Sequence, residues 1–374
     1  MTVTSRRGFL AASAALFTTW GLPWPMQAIA SDGRCFVSAC SDEAGATLAR
    51  VFDASGRVLA TLPLPERGHG AARRPGHREV VVFARRPGRF ALAFDPLSPE
   101  RPLRIEAAPG RHFYGHGVFS PDGRWLFACE NDYDSARGCI GVYDATAGYR
   151  REAELEAYAI GPHEMVLLSD GRTLAVANGG IRTHPARGRE KLNIATMQPS
   201  LAYIDSESGR LLHDHRLPPA LHQASIRHLA AAPDDSLGIV MQSEGPRDNL
   251  VPLVGFHRGE GEIALPRPGI AVWRSLRQYC GSAAMDAVGA VLAASAPRGG
   301  HVTFWSVAEQ RYLGSLDLGD GCGVAASGAA GGFLCSSGYG RLLHHNALTG
   351  ETAQLEDPAA AAVAWDNHLT ALAL

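Results

Sequence analysis

The 374-residue chain carries no surplus of charge. Its 35 Lys and Arg stand against 37 Asp and Glu, a formal net charge of −2. With no basic run either, there is no electrostatic footing for nucleic acid. Long apolar runs are also missing: the stretch from Ala11 to Trp20 is too short for a confident bilayer span, and no other run reaches the length a membrane helix needs. Local enzyme signatures are absent. There is no His-Glu-x-x-His, no Gly-x-Ser-x-Gly elbow, no phosphate loop, no Cys-x-x-Cys-His and no dinucleotide fingerprint. What remains open is chemistry assembled from residues far apart in the chain.

The start of the sequence is specific. Ser5-Arg6-Arg7-Gly8-Phe9-Leu10 is a twin-arginine export pattern, and Ala28-Ile29-Ala30 is a small-residue cleavage site. The expectation is a signal peptide over residues 1–30 and a single propeller domain over 31–374 in the periplasm, with no membrane span in the mature protein. Seven cysteines in an exported chain leave at least one unpaired. Cys129 and Cys139 flank the loop from Glu130 to Gly138 and are placed to bridge adjacent strands. Cys35 and Cys40, an odd number of residues apart, face opposite sides of a strand.

The rest of the sequence is repetitive. A tag whose central residue is His or Cys recurs as Gly68-His69-Gly70, Gly115-His116-Gly117, Pro162-His163-Glu164, Arg227-His228-Leu229, Tyr279-Cys280-Gly281 and Gly321-Cys322-Gly323. Each is followed by a short apolar run, a turn and a second apolar run: Val118-Phe119, then Ser120-Pro121-Asp122-Gly123, then Trp125 to Ala128. Runs separated by Asp-Gly turns are hairpins, because those residues accept the backbone that tight turns need. Third and fourth runs follow, such as Ile140 to Asp144, and four strands per unit is the grammar of a propeller blade. The tags at 69, 116, 163, 228, 280 and 322 lie 47, 47, 65, 52 and 42 residues apart. Blade repeats run roughly 40 to 50 residues, and the long interval holds an insertion from Gly179 to Ser200. A seventh unit starts near Ala361 and ends after two strands, its missing outer strands being supplied by Cys35–Ala39 and Leu48–Asp53. The sequence therefore predicts an all-β, seven-bladed β-propeller of four-stranded antiparallel blades, closed by both termini.

In such a ring the inner strands line a central channel, and the tags pool their side chains there. His69, His116, His163 or Glu164, and His228 become candidate ligands for copper, iron or zinc, because several converging imidazoles suit those ions. Strand alternation admits only one of His163 and Glu164 to the channel. Cys280 and Cys322, at equivalent positions, are read as ligands, a bridge or small core residues. The loops after the second strands share the tags' face and place Glu130, Asn131, Asp132, Asn178, His184, Glu244 and Arg298 around the mouth. His213, His215, His344 and His345 are read as surface.

Further stretches are distinctive: Phe113 through Gly123, Glu130-Asn131-Asp132-Tyr133, Gly161-Pro162-His163-Glu164, Ala177-Asn178-Gly179-Gly180-Ile181 with Thr183-His184-Pro185, Gly188 to Asn193 continuing through Met197 to Leu201, and Ser225 to Leu229. These resemble the bacterial domain-of-unknown-function family 1513, over nearly all of the sequence after residue 30. The resemblance implies an exported propeller, commonly encoded beside imelysin-type iron-regulated lipoproteins and haem-containing peroxidase-like proteins, and so implies metal handling with such proteins as partners. It implies no activity and no catalytic residues. Three functions follow as expectations: binding or delivery of a transition metal, docking of an iron-uptake partner, or a propeller lactonase or oxidoreductase using Glu130, Asn178 and Glu244.

Overall fold

The computed structural model describes residues 33–373; the export pattern and the cleavage site lie outside the described residues. Seven antiparallel sheets form the blades. Five are four-stranded, beginning with inner strands Gly68–Arg73, Arg111–Phe119, Pro162–Leu167, Ser282–Met285 and Gly321–Ala326. The fourth blade has three strands, Ala224–Ala231, Leu237–Ser243 and Val254–His257. No helix among the described residues is long and apolar enough to cross a membrane.

Burial explains which runs become which strands. Second and third strands are covered on both sides by neighbouring blades, so they read as continuous apolar runs. Val80–Ala84 and Val291–Ala296 are buried throughout. Outer strands meet water and carry charge, as in Arg150–Glu156. The blades interlock through aromatic side chains: Phe83 of the first blade sits 5.7 Å from Phe113 of the second, and Phe304 of the fifth 5.5 Å from Phe333 of the sixth. The turn after the second tag forms as its sequence dictates. Gly123 takes φ of +69°, and the Asp122 carboxylate accepts from the Arg124 amide at 3.0 Å.

Closure differs in detail from the sequence expectation. The two C-terminal segments, Val363–Trp365 and Thr370–Ala373, both pair with Arg34–Asp42, and so are two halves of one interrupted inner strand. Three N-terminal strands rather than two complete the blade: Arg34–Asp42, Thr47–Asp53 and Val58–Pro63. Hydrogen bonds sew the break, with Ser38 Oγ donating to the His368 carbonyl at 2.6 Å and the Asp366 amide to the Ala39 carbonyl at 2.9 Å.

Deleting residues 363–374 is expected to unfold the protein rather than trim a tail. The deletion removes Val363, Trp365, Leu369 and Leu372, all buried, at about 1.5–3 kcal/mol each. That is comparable to the ~5–15 kcal/mol of a typical domain's total stability. It also bares the edge of Arg34–Asp42. Thermal unfolding followed by circular dichroism checks this; a truncated chain that still melts cooperatively near the full-length temperature would refute it.

The expected Cys129–Cys139 bridge does not form: the six cysteines from Cys40 to Cys335 are free thiols, and all seven cysteines are buried. Cys129 stands opposite Ile140 and Cys139 opposite Glu130, so the two thiols occupy adjacent register positions and point to opposite faces of the sheet. His344 is also buried rather than at the surface, its Nε2 2.9 Å from the Ala54 carbonyl of the closing blade.

Candidate metal centre

At the tags the strand pairing breaks. Register shifts fall between Gly68 and Ala71, Phe113 and Gly117, Pro162 and Glu164, Ile226 and His228, and Gly321 and Val324. An extra residue inserted into one strand leaves the ladder and re-aims its side chain. This is how the inner strands turn imidazoles toward the axis. It also overturns the expectation that either His163 or Glu164, not both, reaches the channel. The His163 ring lies 4.7 Å from that of His228, and a Glu164 oxygen lies 2.8 Å from His228 Nδ1.

Five imidazoles meet there: His69, His116, His163, His228 and, from the interruption in the closing strand, His368. Neighbouring ring centroids lie between 4.4 and 5.6 Å apart. One donor atom from each of His69, His116 and His163 lies within 4.8 Å of the others, and the same holds for His116, His228 and His368. Glycine makes the crowding possible. Gly115 has φ of +104°, and a Cβ on it would stand 2.5 Å from the His69 ring; a Cβ on Gly70 would stand 2.8 Å from His116 Nδ1. The flanking glycines of the tags thus let one blade's imidazole lie against the next blade's backbone.

The electrostatics favour neutral rings. Burial holds all five well below the usual histidine range, the other imidazoles adding to the effect on His69 and His368 and the Arg227 guanidinium on His163 and His228. For His116 burial again dominates, opposed by the Glu164 carboxylate. Burial pushes Glu164 above the ordinary carboxylate range, against the pull of His116 and the Leu229 amide. A neutral His228 that donates Nδ1–H to Glu164 presents its Nε2 lone pair; a carboxylate behind the ring in this way is common for metal-ligating histidines. His116 makes the longer version of this contact, Nδ1 to Glu164 at 3.5 Å.

The decisive detail is what these rings lack. His69 Nδ1, His116 Nε2, His163 Nδ1 and His368 Nε2 are buried with no hydrogen-bond partner in the protein. Buried polar atoms are nearly always satisfied, and an unsatisfied one costs about 1–3 kcal/mol. Four in one cluster of packed rings fit a group that takes lone pairs, which a transition ion does. Nitrogen ligands at about 2.0–2.1 Å stand about 3.3 Å apart in a tetrahedral set, so the donors of either triad, within 4.8 Å of one another, draw in by up to about 1.5 Å to share an ion.

Cys280 and Cys322 do not join the cluster. Their side chains pack in the apolar layers between blades, Cys280 with Met241 and Leu292, Cys322 with Leu334 and Trp365. Cys322 Sγ lies 3.3 Å from the Trp365 carbonyl. Burial pushes both thiols up to about 12, so they are core residues and the centre is made of nitrogen and oxygen.

A second group, Glu130, Cys139 and Glu154, also brings potential donors together, but its carboxylates are already taken. Glu130 accepts from Tyr143 and, at 2.8 Å, from Arg151. Glu154 accepts from Arg111 at 2.9 Å, Arg137 at 2.6 Å and Arg151 at 2.7 Å. Against the upward push of burial, these guanidiniums hold Glu154 at about 2.

Of the loop residues expected at the mouth, Glu244 and Arg298 line the cavity above the histidines. The others are used within or between blades. Glu130 is fully buried in the second blade and Asp132 pairs with Arg111. Asn131 donates to the Thr183 carbonyl and contacts His112 Nε2, Asn178 donates to the Ala157 carbonyl, and His184 lies 3.4 Å from Asp134. The reading of Glu130 and Asn178 as polar groups above the channel is therefore corrected: both are fully buried within their blades, Glu130 held by Tyr143 and Arg151 and the Asn178 amide nitrogen turned to the Ala157 carbonyl. Sequence reasoning missed His368, although Asn367-His368-Leu369 parallels Arg227-His228-Leu229 and lies 46 residues after Cys322. It also missed the arginines of the mouth, Arg85, Arg86, Arg189 and Arg227.

The fold and site together define a seven-bladed β-propeller whose axis carries a buried cluster of histidines. Residues 62–372 match the family described as "Protein of unknown function (DUF1513)", and the chain belongs to that family. Among solved structures it is similar in fold to "Kuenenia stuttgartiensis Hydrazine Synthase", at 15% identity and a TM-score of 0.58, over 83% of this chain and 90% of that one. No curated protein matches the sequence.

Proposed function

We propose that the protein binds a transition-metal ion in the axial channel, held by imidazoles drawn from His69, His116, His163, His228 and His368 with Glu164 orienting His228 and His116. The observation that carries this reading is that four rings of one buried histidine cluster each keep a ring nitrogen without a hydrogen-bond partner. Nitrogen and carboxylate donors without thiolate suit iron, copper or zinc. The twin-arginine pattern supports export to the periplasm as a mature chain beginning near Ser31. The family resemblance supports a role in iron or other metal acquisition, with imelysin-type or haem-containing proteins as partners.

Elemental analysis of protein purified from the periplasm, followed by titration of the stripped protein with Cu2+, Zn2+ and Co2+, tests it. The expected result is stoichiometric metal, with the Co2+ form showing the visible absorption of a nitrogen-ligated ion. Protein that binds none of these ions above background, and carries no iron as isolated, overturns it.

A further inference from the structure

A cavity of about 330 Å3 opens directly above the histidines, with His69, His163 and His228 in its wall. Its charge is out of keeping with the nearly neutral chain. Six cationic side chains line it against two acidic ones, Glu244 and Asp320. Glu244 is engaged by Lys191, the only lysine of the sequence. Asp366 beside the cavity is held by Arg67 at 2.5 Å. By contrast, Arg85, Arg86, Arg189 and Arg227 form no ion pair among the described residues.

Two of these guanidiniums are buried: Arg86 is 7% and Arg227 8% exposed. Arg227 Nε has no hydrogen-bond partner at all. Guanidinium stays protonated even when desolvated, and burial, reinforced by the nearby Arg227 charge, pushes Arg86 down to about 10. Burying unpaired like charges is costly unless something neutralises them. Among side chains, guanidinium is the one best shaped to take carboxylate or phosphate oxygens in pairs.

We propose that this mouth is a binding site for a small polycarboxylate. The cations come from separate elements: Arg85 and Arg86 follow the second strand of the first blade, Arg227 lies in the fourth-blade tag, and Arg189 in the long insertion. Such spacing suits several anionic groups on one carbon skeleton better than a single tetrahedral ion. Small-molecule sites run from about 300 Å3 upward, which also exceeds what an inorganic phosphate fills. Gln242, Ser243, Tyr279 and Asn367 in the same wall offer hydrogen bonds to hydroxyl or carbonyl groups between the carboxylates. The site stands on the arginines alone. Where it rests on the metal reading, one ligand carboxylate lies close enough to the histidines to complete the ion's coordination, so that metal is taken up as an anionic chelate.

The test is calorimetric titration of the metal-free mature chain with citrate, and separately with inorganic phosphate, at constant ionic strength. Citrate is expected to bind, and phosphate at least about tenfold more weakly. Arg86→Gln and Arg189→Gln should each weaken citrate by about tenfold or more, while metal stoichiometry measured without citrate is unchanged. Arg189 sits on an exposed loop, so its variant reports even if Arg86→Gln fails to fold. No citrate binding at millimolar concentration, phosphate binding as tightly as citrate, or undiminished citrate binding by the Arg189 variant overturns the proposal. A chain that binds citrate yet takes up no metal in a separate metal titration would overturn the metal reading alone; a chain that takes up metal yet binds no citrate would overturn this one alone.

Discussion

Replacing His116 and His228 together by alanine is expected to abolish stoichiometric metal binding while leaving the propeller folded. His116 belongs to both triads of converging donors and His228 to one, so the pair of changes breaks each of them. Both rings face the axial channel and pack on other imidazoles and Glu164, while the apolar layers between blades do not depend on them. Loss of a partner behind a metal ligand typically lowers affinity about 10- to 100-fold. Removal of two ligands should exceed that, and binding measured against a chelator competitor should fall by more than about 100-fold. His368→Ala alone should lower affinity by at least about 10-fold, because it removes one donor of the second triad. Metal content by elemental analysis and far-ultraviolet circular dichroism are the readouts. A double variant that keeps as much metal as the unmodified protein places the ion elsewhere.

The metal-free protein should also lose stability steeply as the pH falls below about 6.5. His69, His116, His163, His228 and His368 all have folded-state pKa values well below the ordinary histidine value of 6.5. His112, held at about 4 by burial, behaves the same way. Below the unfolded value the unfolded chain binds protons that the folded chain refuses, so the stability of the folded form declines as pH drops. Each imidazole contributes up to about 1.4 kcal/mol per pH unit. Two acting fully would remove ~3 kcal/mol over one unit, a large share of a typical ~5–15 kcal/mol.

Glu164 works in the opposite sense. Its raised pKa gives stability that is present at low pH and lost as pH rises through the folded value, and it offsets one proton at most. Carboxylates held low, such as Glu154 at about 2, lose their contribution only further down, as pH falls through their own range. The window from about pH 6.5 to 5 therefore belongs to the histidines. Bound metal competes with protons for the same lone pairs and should move the acid transition downward. Urea unfolding at pH 7.5, 6.5 and 5.5, with and without metal, measures this. An unfolding midpoint that does not change across that range in the stripped protein would show that the rings take up protons freely in the fold.

Much of this could be read from the order of residues, because a propeller writes its architecture locally. A blade is four short strands joined by tight turns, and each strand and turn carries its own signature, so repetition at 40 to 50 residues reveals the ring. The tags announced four of the five imidazoles for the same reason: equivalent positions in successive repeats meet at the axis. What the sequence could not disclose are the quantities set by how strands pair. Alternation counted along Pro162 to Leu167 admits one of His163 and Glu164, whereas the bulge beside them brings both to the cluster. The break between Trp365 and Thr370, which looks in sequence like the gap between two strands, is a loop within one, and it delivers His368 to the axis. Cys280 and Cys322 share the tag position with the histidines, yet their small apolar side chains are drawn into the layers between blades, where desolvating a thiol costs little. The sequence by itself determined the ring, its blade number, its closure by both termini and four of the five axial imidazoles, since these depend on local periodicity. The tertiary structure alone decided which side chains face the channel and which arginines crowd above it, since both depend on bulges and on packing between residues hundreds of positions apart.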